Sequence, residues 1–202
     1  MSSIANVQNG FAFKSKDFVD SGFPVIRIKN IGEDRTVDVT DVQFIPEKIG
    51  LNSERFWLHT GDIIMAMTGN TGRFGLLVNH KGVVCLQNQR VAKIIPNTEG
   101  INTTWFSYCF LNQKSTMDYV YSVSHGSVQK NISTNSIMLA PLLKPSDILF
   151  TLFNEKVECF FSKIITNREQ EFNLINLRDT LLPKLMSGEL CIADAEKIVE
   201  DV

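Results

Sequence analysis

Apolar residues in the last quarter of the chain recur at the spacing of an α-helix. Leu149, Phe153, Val157, Phe160 and Ile164 follow one another at intervals of three or four residues, and the stripe resumes between residues 172 and 185. Residues 166–171 are all polar, so the stripe is interrupted in its middle. A helix with one apolar stripe buries it against a partner helix, and the pattern therefore predicts a coiled-coil-forming helix.

The ends of this helix are marked by a capping residue, a proline and a glycine. Ser146 is a favourable N-cap, and Asp147 places an acid at the positive end of the helix. Because neither Gly nor Pro occurs between Ser146 and Pro183, the sequence allows a helix of nearly 40 residues, roughly 55 Å long. We expect Pro183 to kink or end the helix and Gly188 to stop any helical segment beyond it.

The first 140 residues predict short strands and turns with some helix. Residues 23–31 alternate between apolar and polar positions, which predicts a half-buried strand with Arg27 and Lys29 on its outer face. Residues 61–67 are a short apolar run that predicts a more buried strand, and residues 91–95 predict another strand, which Pro96 ends. The glycine-rich segment 68–75 follows the apolar run 61–67 and predicts a loop.

Two further local patterns complete this part of the chain. Apolar residues 76–78 and 83–86 flank the polar segment 79–82, which predicts a β-hairpin. Thr103 or Thr104 can cap an aromatic-rich helix over residues 105–111. The predicted fold class is therefore α/β, with a mixed sheet, followed by the long C-terminal coiled-coil-forming helix.

Composition and charge indicate where the protein is located in the cell and how charge is distributed along the chain. The net charge is −2, but residues 1–140 carry +2 and residues 141–202 carry −4, so a mildly basic body precedes an acidic tail. The four cysteines are scattered without CxxC spacing, which predicts free thiols and neither a disulfide framework nor a zinc site. Without a long apolar run or a secretory signal pattern, the expected location is the cytoplasm, away from the membrane.

The sequence lacks the motifs of known catalytic sites, and we therefore predict a protein that is not an enzyme. The sequence contains no methyltransferase tetrad of the Asn/Asp-Pro-Pro-Tyr/Phe type, no paired carboxylates with a lysine at nuclease spacing, and no G-x-S-x-G. The glycine-rich loop also lacks the Gly-Lys-Ser/Thr ending of a phosphate-binding Walker loop. His59 and His80 have no partner at metal or catalytic spacing and are expected to have surface or capping roles. We expect no catalytic residue, metal site or bound cofactor.

Six short blocks, in order along the chain, resemble a known family. They are GFAFKSKDF (10–18), GFPVIRIKNI (22–31), GDIIMAMTG (61–69), NQRVAKIIP (88–96), GSVQKNIS (126–133) running into APL (140–142), and LRDTLLPKLMSGE (177–189). The first five resemble a target recognition domain of the specificity subunits of type I restriction-modification systems. The last resembles the end of that family's spacer helix. Each block is short and glycine-rich, so the resemblance rests on their order and spacing across nearly the whole chain.

The resemblance implies the organisation and the partners of the protein. The usual subunit of this family has two recognition domains and two spacer helices, whereas this sequence has one of each and no internal repeat. We therefore expect a half-length form with a recognition domain over 1–143, a spacer and dimerisation helix over 144–187 and a tail over 188–202. It would bind double-stranded DNA as a homodimer and recruit a methyltransferase subunit, which carries S-adenosylmethionine, and a restriction subunit. The alternative is a coiled-coil assembly adaptor whose recognition domain no longer binds DNA.

Polar and basic residues in the loops and on the strand 23–31 are the candidates for DNA contact, because cations bind phosphates and amides and guanidinium groups read base edges. Each has an ordinary alternative, such as a solvated surface turn for the loop around Arg73 or strand packing and capping for Gln89 and Arg90. The predicted DNA-binding residues are Lys14, Ser15, Lys16, Arg27, Lys29, Asn70, Arg73, Gln87, Asn88, Gln89, Arg90, Ser127, Gln129, Lys130 and Asn131. The predicted dimerisation residues are Phe153, Val157, Phe160, Ile164, Phe172, Ile175 and Leu181.

Overall fold

The computed structural model describes residues 1–79, 82–97, 100–126, 130–192, 194 and 195. Its strands are β1 Ala5–Asn9, β2 Phe23–Ile26, β3 Gln43–Ile45, β4 Trp57–Leu58, β5 Ile63–Ala66, β6 Phe74–Leu76, β7 Cys85–Gln87 and β8 Val91–Pro96. Its α-helices are α1 Glu47–Leu51, α2 Thr104–Leu111, α3 Lys114–Ser122, α4 Thr134–Met138 and α5 Asp147–Ser187. The chain divides into two compact units, Met1–Phe161 and Ser162–Val202, and α5 runs from the first into the second. The predicted fold class of a mixed α/β domain followed by a long helix is confirmed.

The described strands form two four-stranded sheets in the first unit. The first sheet has the order β1-β8-β5-β6 and is antiparallel throughout. The second has the order β3-β2-β7-β4 and is mixed, because β2 and β7 run parallel while the other pairs are antiparallel. A core of fully buried side chains that includes Ile26 and Leu58 of the second sheet and Ile64 and Val91 of the first lies between the sheets.

Two of the predicted strand patterns differ from the structure. The strand predicted over residues 23–31 ends at Ile26, and a 3-10 turn follows at Ile28–Asn30. The buried Asn30 side chain forms this turn by accepting a hydrogen bond from Arg27 N (2.9 Å) and donating one to Asp41 O (2.8 Å). The hairpin predicted across residues 76–86 is wrong, because β6 pairs with β5 in the first sheet whereas β7 pairs with β2 and β4 in the second.

The first four turns of α5 pack on α2 through aromatic side chains. The Trp105 and Phe161 rings stack with centroids 4.2 Å apart, and Trp105 Nε1 donates a hydrogen bond to Glu158 Oε2 (2.7 Å). Phe106 contacts Phe150 and Phe153 edge to face, at 4.8 and 5.7 Å. This packing explains why the first compact unit extends to Phe161.

The long helix continues past Pro183, which the sequence predicted to kink or end it. Proline lacks the N–H that would bond one turn back, and its ring crowds the carbonyl four residues earlier, so Pro183 removes one hydrogen bond from a helix that nevertheless continues to Ser187. The helix ends at Ser187, and Gly188 follows with a positive φ of 74°, as predicted for a glycine stop. Leu190 N then donates to Lys184 O (3.1 Å), which returns the chain onto the last turn.

Candidate nucleic-acid interface

The loops that carry most of the predicted DNA-binding residues meet at one edge of the two sheets. In the first sheet Asn9 and Met65 both pair with Ala92, so the end of β1, the end of β5 and the start of β8 lie together. In the second sheet, Asn88 N donates to Ile26 O (3.1 Å), which joins the ends of the parallel strands β2 and β7. Loops 27–30, 68–73, 88–90 and 130–131 surround this edge, and we call them the rim.

The glycine-rich loop and the segment 130–132 are joined by main-chain hydrogen bonds. Gly69 N donates to Lys130 O (3.0 Å), Ile132 N donates to Met67 O (2.9 Å), and Thr68 forms a bridge with Asn131. Gly72 has a φ of 83° and no room for a Cβ, which would lie 2.6 Å from the Val120 side chain of α3. Segments about 60 residues apart in the sequence therefore present Asn70, Lys130 and Asn131 from adjacent backbones.

Arg73 connects two parts of the rim. Its Nη2 donates to Ile28 O (2.8 Å), which ties loop 68–73 to loop 27–30. Its Nε is buried and, among the described residues, has no hydrogen-bond partner, and the same holds for Arg27 Nε. Arg73 is thus neither a solvated turn residue nor a fully exposed cation, because part of its guanidinium group holds the rim together.

The predicted run 87–90 separates into buried and exposed residues. The Gln87 side chain is buried; its Nε2 donates to Gln8 O (2.9 Å) and Val91 O (2.8 Å), and its Oε1 accepts from Gln8 Nε2 (3.1 Å). Because these bonds occupy its amide inside the protein, Gln87 is withdrawn from the predicted DNA contacts. Asn88 is half-buried, and Gln89 and Arg90 are exposed in the turn between β7 and β8.

The remaining basic candidates differ in whether an acidic side chain of the protein already neutralises them. Lys14, Ser15 and Lys16 are exposed at a short 3-10 helix, Ser15–Asp17. The chain reaches them from Phe11, which bridges Asn88 at the rim. Lys29 forms an ion pair with Asp41 (2.5 Å), an exposed pair of the kind that contributes little and exchanges readily for another anion. The predicted Ser127 and Gln129, like the predicted surface residue His80, lie outside the described residues.

A cleft of about 510 Å³ opens beside the glycine-rich loop. Two of its cations, Arg73 and Lys130, were predicted, but a third, Arg35, was not. Arg35 lies in a short run of charged residues that is typical of a surface turn, so only the fold brings it to the rim. Tyr121 was also missed, since no pattern marked helix α3. Six side chains that line the cleft are Glu33, Arg35, Asn70, Arg73, Tyr121 and Lys130.

The predicted dimerisation residues divide into those that are exposed and those that are packed inside the protein. Phe160, Ile164 and Ile175 are 65%, 38% and 40% exposed, as an unpartnered apolar stripe would be. Phe153 and Val157 are half-buried in the first unit, where Phe153 contacts Phe106 on α2, and Phe172 is half-buried.

Leu181 is buried, and it lies in a depression in the second unit that Leu190 also lines. The prediction of Leu181 as a dimerisation residue is therefore corrected: it packs within the second unit. Leu182 and Met186 are 50% and 81% exposed and were not predicted.

Nothing in the described ranges suggests a metal centre or a membrane anchor. Those residues contain no group of three or more His, Cys, Asp or Glu side chains placed to hold a metal ion. Of the helices in the same ranges, none has the length and apolar character needed to cross a membrane.

Comparison with known proteins identifies the family. The family model described as "Type I restriction modification DNA specificity domain" matches residues 1–170. The chain is 32% identical over 104 residues to the type I restriction enzyme HindI specificity subunit of Haemophilus influenzae, which covers 51% of this chain and 22% of that protein. It is 26% identical over 211 residues to the EcoBI specificity subunit of Escherichia coli, which covers 100% of this chain and 41% of that protein.

A solved structure is similar across most of the chain. The S subunit of a type-I restriction-modification system from M. genitalium matches with a TM-score of 0.49 and 17% identity, over 92% of this chain and 44% of that one. This chain thus spans less than half the length of the relatives that it matches.

Proposed function

This chain belongs to the family of type I restriction modification DNA specificity domains, and we propose that it reads one half of a bipartite DNA site. The observation that carries the proposal is the rim, where four loops from distant parts of the sequence bring cations and amides to one edge of the sheets. Matched relatives are specificity subunits, and the chain is accordingly a non-catalytic component.

The roles of the rim residues, and of the neighbouring segment 14–16, are inferred from their exposure. Gln89 and Arg90 are exposed in a tight turn and carry the groups that pair with adenine and guanine edges, so they are the proposed base-reading residues. Lys14 and Lys16 are exposed cations that suit phosphates, with Ser15 between them. Asn70, Asn88, Lys130 and Asn131 complete the proposed contact surface, together with Arg27 and Lys29 at its side.

We further propose that the chain acts as a homodimer through α5. Phe160, Ile164, Ile175, Leu182 and Met186 are exposed, and at 3.6 residues per turn they fall within about 80° of the helix circumference. An apolar stripe of this kind on a helix is buried when a second helix packs on it.

Charge complementarity favours an antiparallel arrangement of the two helices. Arg168 and Glu171 lie in the polar interruption of the stripe, between Ile164 and Ile175. In an antiparallel pair centred between residues 169 and 170, Ile164 faces Ile175 and Arg168 faces Glu171 of the second copy. In a parallel pair, Arg168 would face Arg168 and Glu171 would face Glu171, which is unfavourable.

The homodimer would read two inverted half-sites separated by a fixed spacer, because an isologous dimer presents the same surface twice. A methyltransferase subunit with S-adenosylmethionine would dock on the helices and recognition domains, and a restriction subunit would join it for cleavage.

The test combines the solution mass with the modified sequence. Light scattering should give twice the chain mass, and methylome sequencing of cells that contain this chain and its methyltransferase partner should give a symmetric bipartite motif. An asymmetric motif would refute the homodimer. Partner binding without any salt-dependent DNA affinity would instead support the adaptor alternative.

A further inference from the structure

The cleft beside the glycine-rich loop has a function that can be separated from base reading. We propose that it binds one phosphate of the DNA backbone and that Arg35 and Lys130 are its contacting cations. This inference rests on the proposed DNA-binding function. In it, the cleft contributes affinity for DNA and positions the chain along the DNA backbone, whereas the turn 88–90 recognises the base sequence.

The backbone of Arg35 is fixed in an uncommon conformation. Arg35 has a φ of 68°, which residues other than glycine rarely adopt. Leu76 N donates to Arg35 O (3.1 Å), and Gly32 N donates to Thr36 O (2.9 Å), so hydrogen bonds hold the turn on both sides. The turn also lies so close to β6 that a Cβ on Gly75 would come within 2.8 Å of Thr36 O. These contacts fix the backbone of the turn that carries Arg35 beside β6.

The Arg35 side chain is also held in place. Its guanidinium carbon lies 4.2 Å from the centroid of the Phe74 ring, and Nε donates to Asn112 Oδ1 (3.3 Å). Phe74 is fully buried, so the ring that carries the guanidinium group is itself rigid. A cation positioned before binding loses less side-chain entropy when the ligand arrives.

Lys130 is brought to the same cleft from another part of the chain. The bond from Gly69 N to Lys130 O positions its backbone, and its Nζ lies 5.9 Å from the centroid of the Tyr121 ring. Arg73 adds a third positive charge, and Glu33 is the acid that lines the cleft with them. The side chains that line the cleft therefore carry a net charge of +2, which favours an anion.

The glycine-rich loop also places two buried polar atoms at or next to the cleft. In the part of the chain that the structure describes, Arg73 Nε and Thr68 Oγ1 are buried without a hydrogen-bond partner. Arg73 lines the cleft, and Thr68 immediately precedes its glycine-rich loop. Buried donors of this kind are almost always bonded, so we infer that polar ligands, water among them, bind at this loop.

A phosphate suits this cleft better than a base edge does. Its three cations, Arg35, Arg73 and Lys130, come from separate segments and outnumber the one amide side chain in the lining, Asn70, so charge dominates over the flat donor-acceptor pair that an amide presents to a base. A phosphate accepts hydrogen bonds from several directions and is present at every position of every DNA sequence.

The experiment compares Arg35→Ala with Lys48→Ala in the full chain. Lys48 is an exposed lysine on α1, which follows the end of β3 that pairs with Phe23, at the opposite end of β2 from the rim. Binding to two labelled 50-base-pair duplexes is measured at several salt concentrations. One duplex is selected from a random library by the wild-type chain, and the other is a scrambled sequence of the same composition.

Arg35→Ala should weaken binding to both duplexes by the same factor, about tenfold per copy of the chain, because a hydrogen bond to a charged group is lost. The salt dependence of binding should fall by about 0.9 for each phosphate released, and Lys48→Ala should change neither. Arg35→Gly should behave like Arg35→Ala and fold at least as well, because glycine tolerates the positive φ.

Other outcomes separate the two levels of the proposal. Unchanged affinity in both Arg35 variants would overturn the phosphate site and leave DNA binding standing. A loss restricted to the selected duplex would overturn it too, since Arg35 would then read a base. If the wild-type chain binds neither duplex, the proposed function itself fails.

Discussion

Reversal of one charge at the centre of α5 tests the proposed dimer most directly. In the antiparallel arrangement, Glu171 of each copy faces Arg168 of the other, so Glu171→Arg replaces two attractive pairs by two repulsive ones. Glu171 is exposed, and its substitution leaves the apolar stripe intact. The change therefore isolates the charge term from the burial of Ile164 and Ile175.

The expected magnitude depends on the exposure of these side chains. An ion pair near the surface contributes about 0.5 kcal/mol, and a like-charge pair costs about the same. Two pairs lost and two repulsions gained amount to about 2 kcal/mol, or roughly a 30-fold increase in the dimer dissociation constant. The effect should shrink at high salt, since exposed charges are screened.

The assay is sedimentation equilibrium over a dilution series, with circular dichroism to confirm that the helix persists. Glu169→Arg makes the same charge change two residues earlier, on another side of α5, and is the matched control. The double variant Arg168→Glu with Glu171→Arg exchanges the charges and should restore the wild-type dissociation constant.

Two results would refute the antiparallel register: a Glu171→Arg chain that dimerises as tightly as wild type, or a double variant that fails to recover. A parallel dimer would give the first result. In it the residues at position 171 face each other in the wild-type chain and in the variant, so Glu171→Arg exchanges one like-charge pair for another and leaves the dissociation constant nearly unchanged.

Three further variants and one labelling measurement test the structure in different places. Gln87→Ala should lower the free energy of unfolding in urea by about 1–3 kcal/mol, because it leaves buried carbonyls unpaired, with the methylated motif unchanged. Gln89→Ala should relax the motif and leave unfolding unchanged, since its side chain is exposed. Trp105→Ala should cost about 3–5 kcal/mol in the same unfolding assay, because it removes a buried ring stacked at 4.2 Å. Burial raises the pKa of the Cys85 thiol, although a hydrogen bond from Asn79 opposes this, so at pH 8 a thiol reagent should modify exposed Cys159 and spare Cys85 until the chain unfolds, as followed by mass spectrometry.

Local patterns in the sequence predicted the elements whose neighbours do not alter them. The helix α5 was predicted from its spacing and from the absence of glycine and proline, and β5 from a short apolar run that is fully buried. The end of β2 could not be predicted, because it depends on the Asn30 side chain reaching Asp41 O eleven residues away. The hairpin failed for the same reason, since a different sheet captures β7.

The candidate interface was predicted from residue type and loop position. The errors in this prediction concern which way individual side chains point. Gln87 and Gln89 are equivalent in sequence, but Gln87 belongs to a strand and points into the protein, whereas Gln89 lies in the following turn. Arg35 was missed because its place at the rim depends on contacts with β6 and with Asn112. Such long-range contacts leave no periodic signal in the sequence.

The burial of the apolar stripe on α5 changes along the helix. Phe150, Phe153 and Phe161 are covered by aromatic residues of α2, so this face of the first four turns needs no partner. Farther along, Ile164 and Ile175 of the second unit, which face each other in the antiparallel register, are exposed. A dimer that covers them would stabilise the folded chain by mass action. The denaturation midpoint of the wild-type chain should therefore rise with protein concentration, and that of Glu171→Arg should rise only at higher concentrations. A midpoint that is independent of concentration in the wild-type chain would refute dimerisation through α5.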